Sequence, residues 1–213
     1  MKLKINHTFN LQNFRNMFQT SNYTTQISVS DYIDKYRDAE KFIVFCQQCN
    51  RYNTCWACPP FDFSIDKYLK YDKAYIIGTK IMISKNIKDS CTNADESKEM
   101  GAQIITSVRK NLDKQLLLIE NRTPDSRAFF AGTCHICPVE ECTRIDGRPC
   151  LYPDKIRPSL ESFGFDIGKT TESLLGLELK WSNDGSLPEY LTLVSGLFTN
   201  SEIENFENYF EEF

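Results

Sequence analysis

The sequence predicts an α+β fold: one domain over residues 1–213, with a mixed β-sheet flanked by helices and two cysteine-rich loops at 46–60 and 132–153. Three observations lead there. Ala74–Ile83 and Glu189–Phe198 are β-branched and nearly unbroken in apolar character, the pattern of strands covered on both faces. Between them Met100, Ile104, Val108, Leu112, Leu116 and Ile119 recur every three or four residues, the stripe of an amphipathic helix over 96–121. Eight of the nine cysteines fall into two tight groups.

The remaining elements follow in order. Residues 1–30 are polar and mixed, with Ile27 and Val29 in an alternating stretch that predicts an edge strand. Ser30–Tyr36 reads as a short helix, Ser30 at its N-cap and Ile33 and Tyr36 on one face. Lys41–Phe45 is an apolar run of strand character leading into the first cysteine group, and Pro59-Pro60 forbids a helix beyond it. Ser126–Gly132 reads as a short strand that delivers Cys134 at its end. Lys155–Phe163 and Thr171–Leu177 read as helices. Ile203, Phe206, Phe210 and Phe213 lie at helical spacing with glutamates outside them, so the tail predicts an amphipathic helix docked on the body. No repeat, linker or composition shift divides the chain.

Composition narrows the function. With 41% hydrophobic and 13% aromatic residues the chain can bury a core, so global disorder is not expected. A net charge of −4 lacks the basic footprint of a nucleic-acid binder. No apolar run approaches the roughly 18 residues of a membrane span. The start, Met1 to His7, is followed by no apolar h-region, which predicts a chain kept in the cytoplasm. There thiols stay reduced, and clustered ones are metal ligands or redox groups more often than disulfides. Cys91 stands alone and reads as a small apolar side chain.

The first group is Cys46, Cys49, Cys55 and Cys58; the second is Cys134, Cys137, Cys142 and Cys150. A Cys-x-x-Cys turn points two thiolates at one soft cation, so both zinc and iron–sulfur sites use it. Zinc ribbons separate two such turns by a dozen or more residues, whereas only five lie between Cys49 and Cys55. The second group has one such turn, then gaps of four and seven. Iron–sulfur cubanes favour cysteines on short irregular loops, often with proline after the last one, as in Cys58-Pro59. Arg144 and Arg148 are placed to offset the charge of a thiolate-bound cluster. Spacing therefore favours an iron–sulfur cluster, [4Fe–4S] in type, with zinc as the alternative.

The segment Cys46-x-x-Cys49-x-x-Tyr52-x-x-x-Trp56-x-Cys58-Pro59-Pro60 is followed by Gly132-Thr133-Cys134-x-x-Cys137 and Gly147-Arg148-Pro149-Cys150-x-x-Pro153. Arg157-Pro158-Ser159-Leu160-Glu161 and Gly164-Phe165-Asp166-Ile167 come next. Together, over about residues 40–200, these motifs resemble the DUF2284 family of predicted metal-binding proteins. The resemblance implies a cysteine-bound metal and no particular activity. It also implies motif positions at Cys46, Cys49 and Cys58, while the position of Cys55 need not be cysteine. If only those three bind, one metal position in the first site is open to a substrate. If Cys55 binds too, the site is closed and suits electron transfer or scaffolding.

Other side chains have plainer readings. His135, inside a Cys-x-x-Cys, points away from the metal in most such turns. Tyr52 and Trp56 wall the first site off from water. Glu140 and Glu141 are exposed loop carboxylates. Ser159 and Glu161 either start a helix or contact a ligand near the metal. No glycine-rich phosphate loop is present. The leading expectation is a cytosolic iron–sulfur protein serving electron transfer or cluster-dependent catalysis, with a redox partner protein or a small-molecule substrate. The alternatives are a zinc-stabilised interaction module and a metal carrier or sensor.

Overall fold

A computed structural model describes residues 17–182 and 184–210. Four strands form one sheet: β1 (Phe18–Ser28), β2 (Lys73–Ile83), β3 (Ser126–Phe129) and β4 (Tyr190–Thr199), in the order β1-β2-β4-β3. The sheet was expected to be mixed, yet β1 with β2, β2 with β4 and β3 with β4 all pair antiparallel. The connection from β2 to β3 is a helical crossover, and those two strands do run in the same direction. The last strand, β4, inserts between them, so every hydrogen-bonded neighbour is antiparallel. As expected, β1 is an edge and β2 is central.

The crossover is the helix α5 (Ala94–Arg122), capped by Asn93, whose side chain accepts from Glu96 N–H. Its stripe Ile104, Val108, Leu112, Leu116 and Ile119 is buried on one face of the sheet against Tyr75, Ile77 and Ile81. Ile203, Phe206 and Phe210 complete that core. The tail buries the side chains expected of it, but through a 3₁₀ turn at Phe206–Tyr209 rather than an α-helix; Phe213 lies outside the described residues. Cys91 packs half-buried at the margin of this core.

The other face carries α1 (Val29–Tyr36) and α6 (Ile167–Leu175). Ser28, not Ser30, caps α1 by accepting from Asp31 N–H at 3.1 Å. Tyr32 stacks on Phe165 at 4.3 Å between ring centroids, and its hydroxyl meets the Thr170 hydroxyl at 3.0 Å. Asp166 caps α6, and Gly176 ends it in the left-handed conformation.

Two elements depart from the sequence reading, and both concern the site. The run 41–45 is not a strand but the core of the helix α2 (Ala39–Gln47), which Asp38 caps by accepting from Lys41 N–H at 3.0 Å. A short apolar run does not distinguish strand from helix, and no residue of α2 is buried, with Phe45 57% exposed. Residues 155–163 are not a helix either. Pro158 supplies no N–H and forces Arg157 out of the helical region. The stretch is extended instead, with a parallel bridge from Ser159 to Phe130 and 3₁₀ turns at 153–155 and 161–163.

The turn at 161–163 fixes where α2 lies. Gly164 has φ +87°, and a Cβ there would stand 2.6 Å from the Ala39 Cα. Asp38 N–H donates to Gly164 O (2.8 Å), Arg37 Nε–H to Phe163 O (2.8 Å) and Asp166 N–H to Tyr36 O (2.7 Å). Cys46, at the far end of α2, is thereby placed against the 161–164 segment. Two shorter helices, α3 (Asp66–Leu69) and α4 (Lys85–Ser90), complete the described elements.

Candidate metal centre

Both cysteine loops emerge beside one another. The first begins where α2 unwinds: Cys49 N–H donates to Cys46 O, Tyr52 N–H to Cys49 O, and Cys58 N–H to Cys55 O, each at 3.0 Å. Asn53 turns the chain with φ 58°, and its N–H donates to Pro59 O at 2.9 Å. The second loop leaves β3 through Gly132 and holds only the 3₁₀ turns 139–141 and 153–155 as regular structure. The chain needs little apolar packing here, which suits loops organised around a ligand.

Guanidinium groups tie the two loops together. From the first loop, Arg51 donates through Nε to Thr133 Oγ1 (3.2 Å) and through Nη2 to Cys134 O (2.7 Å). From the second, Arg144 donates through Nη1 to Cys55 O (2.9 Å) and Cys58 O (2.8 Å), and through Nη2 to Pro60 O. It also lies over the Trp56 ring. From α5, buried Arg109 donates to Thr133 O at 2.6 Å. Arg148 behaves otherwise than expected: it is exposed and pairs with Asp146 at 2.8 Å, while its carbonyl accepts from Trp56 Nε1–H. Arg109 is not legible as a site residue in the sequence, because with Asp113 it looks like an ordinary i,i+4 surface pair.

The sequence groups four cysteines with four, and in the structure Cys55 lies beside the second group. Cys55 is 2% exposed and lines one cavity with Cys134, Cys137, Cys142 and Cys150. Trp56 lines the same cavity, so it walls the second site rather than the first. Cys46 lines a separate groove, shared with Pro59 and Glu161. Cys49 is exposed, and Cys58 stands between the two regions with its Sγ 3.2 Å from Thr133 Oγ1. His135 donates through Nε2 to Asp113 Oδ2 (2.8 Å) and so turns toward α5. Glu140 and Glu141 are exposed, and Ser159 is buried with its hydroxyl accepting from Ser162 N–H.

The electrostatics match an anionic guest. Hydrogen bonds from the Cys134 and Cys58 thiols pull the Cys55 thiol far down, and the same bonds, with burial, hold those two up. Burial also raises Cys46 and Cys137. Backbone N–H groups two residues on donate to three of the sulfurs: Arg51 to Cys49, Ile136 to Cys134, and Tyr152 to Cys150, at 3.4–3.5 Å. The bond from Ile136 N–H opposes the upward push on Cys134. Arg109 Nε and Nη2 are buried without a hydrogen-bond partner among the described residues, and their charge is felt at Cys134 and Cys58. Soft donors, N–H groups aimed at sulfur and a buried guanidinium beside them fit a thiolate-bound metal group. Among the described residues no three Cys, His, Asp or Glu side chains are drawn together at the spacing of a single-ion site.

A family model described as "Predicted metal-binding protein (DUF2284)" matches residues 32–198. The chain belongs to the DUF2284 family. No curated protein and no solved structure matches it. For this DUF2284 chain, family and cysteines together support a metal-binding role. No helix among the described residues is long and apolar enough to cross a membrane.

Proposed function

We propose that this chain is an iron–sulfur protein of the cytoplasm, with a closed second site and a first site that keeps one metal position open. The second site takes Cys134, Cys137, Cys142 and Cys150, and the first takes Cys46, Cys49 and Cys58. The observation that supports this reading is the position of Cys55, buried on the cavity of the second group and not on the lining of the groove where Cys46 lies. The first group then keeps Cys46, Cys49 and Cys58, with Cys58 lying where the two groups meet beside Thr133. Zinc ribbons hold their paired turns on hairpins, and here residues 46–58 contain the end of a helix and turns only.

Bound clusters would supply one-electron transfer or, at an open iron, Lewis-acid chemistry. The residues of the chain do the rest. Arg51, Arg109 and Arg144 hold the loops in register and place positive charge beside the thiolates. Exposed Phe45, Ile136 and Leu151 fringe the loops and offer a contact surface to a redox partner protein. Where chemistry takes place at the first site, the partner is a small molecule entering beside Cys46.

Single Cys→Ser variants, read by iron and acid-labile sulfide after anaerobic purification, test the assignment. Cys46→Ser, Cys49→Ser and Cys58→Ser are expected to lose about half of the bound iron, and Cys55→Ser to keep the iron of the first site. A Cys55 variant that loses the first-site iron as fully as those three means a closed site, and the open-site reading fails.

A further inference from the structure

Cys55 is the thiol that the assignment of ligands leaves over. A tetrahedral ion and a cubane each take four protein ligands, and Cys134, Cys137, Cys142 and Cys150 supply four. Yet the cavity is lined by these and by Cys55 as well. Buried cysteines are often no more than small apolar side chains. Cys55 is 2% exposed, but it packs into neither of the hydrophobic clusters on the two faces of the sheet. Its sulfur has polar company instead. The Cys134 and Cys58 thiols hydrogen-bond to it, and the Thr133 hydroxyl donates to it at 3.8 Å. Of these two cysteines, only Cys134 is on the lining of the cavity.

The backbone around Cys55 is fastened to the second loop between Cys142 and Cys150. Arg144 Nη1 donates to Cys55 O (2.9 Å) and to Cys58 O (2.8 Å), and Trp56 Nε1–H donates to Arg148 O (3.1 Å). Cys55 therefore belongs to the second loop by position, although it comes from the first in sequence.

We propose that Cys55 is a reserve ligand of the second site, which takes the metal position of Cys134 when that bond opens. The proposal rests on the reading that the second loop holds metal, and not on whether the metal is iron or zinc. The exchange balances without an oxidant or reductant. The Cys134–metal bond breaks, a Cys55–metal bond forms, and the proton that Cys55 gives up passes to the Cys134 sulfur along the hydrogen bond between them. The metal keeps four thiolates throughout, and its charge is unchanged. This cover extends to Cys134, the second-loop thiol to which Cys55 is bonded. With its carbonyl held by Arg144, Cys55 does not cross the cavity to replace Cys137.

Iron and zinc per chain in anaerobically purified variants test the proposal. Cys55→Ser and Cys134→Ser are each expected to hold as much metal as the wild type. The Cys55→Ser/Cys134→Ser double variant is expected to lose the second-site metal, about half of the total. Such non-additivity marks one position with two occupants, and lost packing at either cysteine alone does not produce it. A second measurement leaves the four second-loop cysteines intact. Cys55→Ala should start with full metal and yield it to a chelator about tenfold faster than the wild type, a result that stands even where Cys134→Ser does not fold. Wild-type protein loaded at both sites, with a folded Cys134→Ser variant as empty as the double variant, overturns the reserve role alone. So does a Cys55→Ala variant that releases metal at the wild-type rate. Wild-type protein without metal overturns the metal reading together with it.

Discussion

Cys137→Ser is expected to empty the second site and to lower the melting temperature by more than about 10 °C. Residues 132–155 contain two 3₁₀ turns and a handful of exposed apolar side chains, with no buried aliphatic cluster among the described residues. What holds them is the set of thiols on one cavity and the guanidinium ties to the first loop. Metal bound to a preorganised thiolate set contributes folding free energy directly, about 10–16 kcal/mol for structural zinc in peptides. A whole domain is stable by only about 5–15 kcal/mol. Loss of even part of the metal term therefore outweighs any core substitution. Calorimetry and metal analysis on the same preparation read the effect. A Cys137→Ser protein that melts with the wild type and keeps its metal contradicts the four-ligand site.

Gly164→Ala is expected to destabilise the fold by about 3 kcal/mol and to reduce metal in the first site. Two independent causes add here. An L side chain at φ +87° costs about 1–3 kcal/mol. The added Cβ would also stand 2.6 Å from a backbone atom of Ala39, which cannot rotate away, and overpacking of this kind costs about 1–3 kcal/mol. The strain is relieved by moving α2, and α2 carries Cys46. Urea unfolding together with iron content checks both parts. A loss below about 0.5 kcal/mol, or full first-site iron in a clearly destabilised protein, shows that α2 is not positioned through this contact.

What the sequence makes legible is what depends on local pattern. The stripe Ile104–Ile119 is long and regular, and its helix appears within two residues of the expected bounds. The runs 74–83 and 189–198 are strands because their β-branched residues suit burial on both faces of a sheet. The run 41–45 is too short for its period to decide, and Asp38 decides it as a helix cap. Strand order is a long-range property: nothing local to β4 shows that it inserts between β2 and β3. The same limit applies to the site. Clustering of cysteines marks the two loops, but neighbours in sequence need not share a cavity. The turn at Asn53 and the Arg144 bonds to Cys55 O and Cys58 O carry Cys55 toward the second group. Arg109 reaches the site only because α5 lies beneath both loops.

Iron and acid-labile sulfide, measured per chain with the visible spectrum on protein purified without exposure to oxygen, test the central claim most directly. The account predicts brown protein with broad visible absorption, iron in excess of zinc, and sulfide matching iron at roughly eight of each if both sites hold cubanes. Colourless protein with stoichiometric zinc, no iron and no sulfide would contradict it.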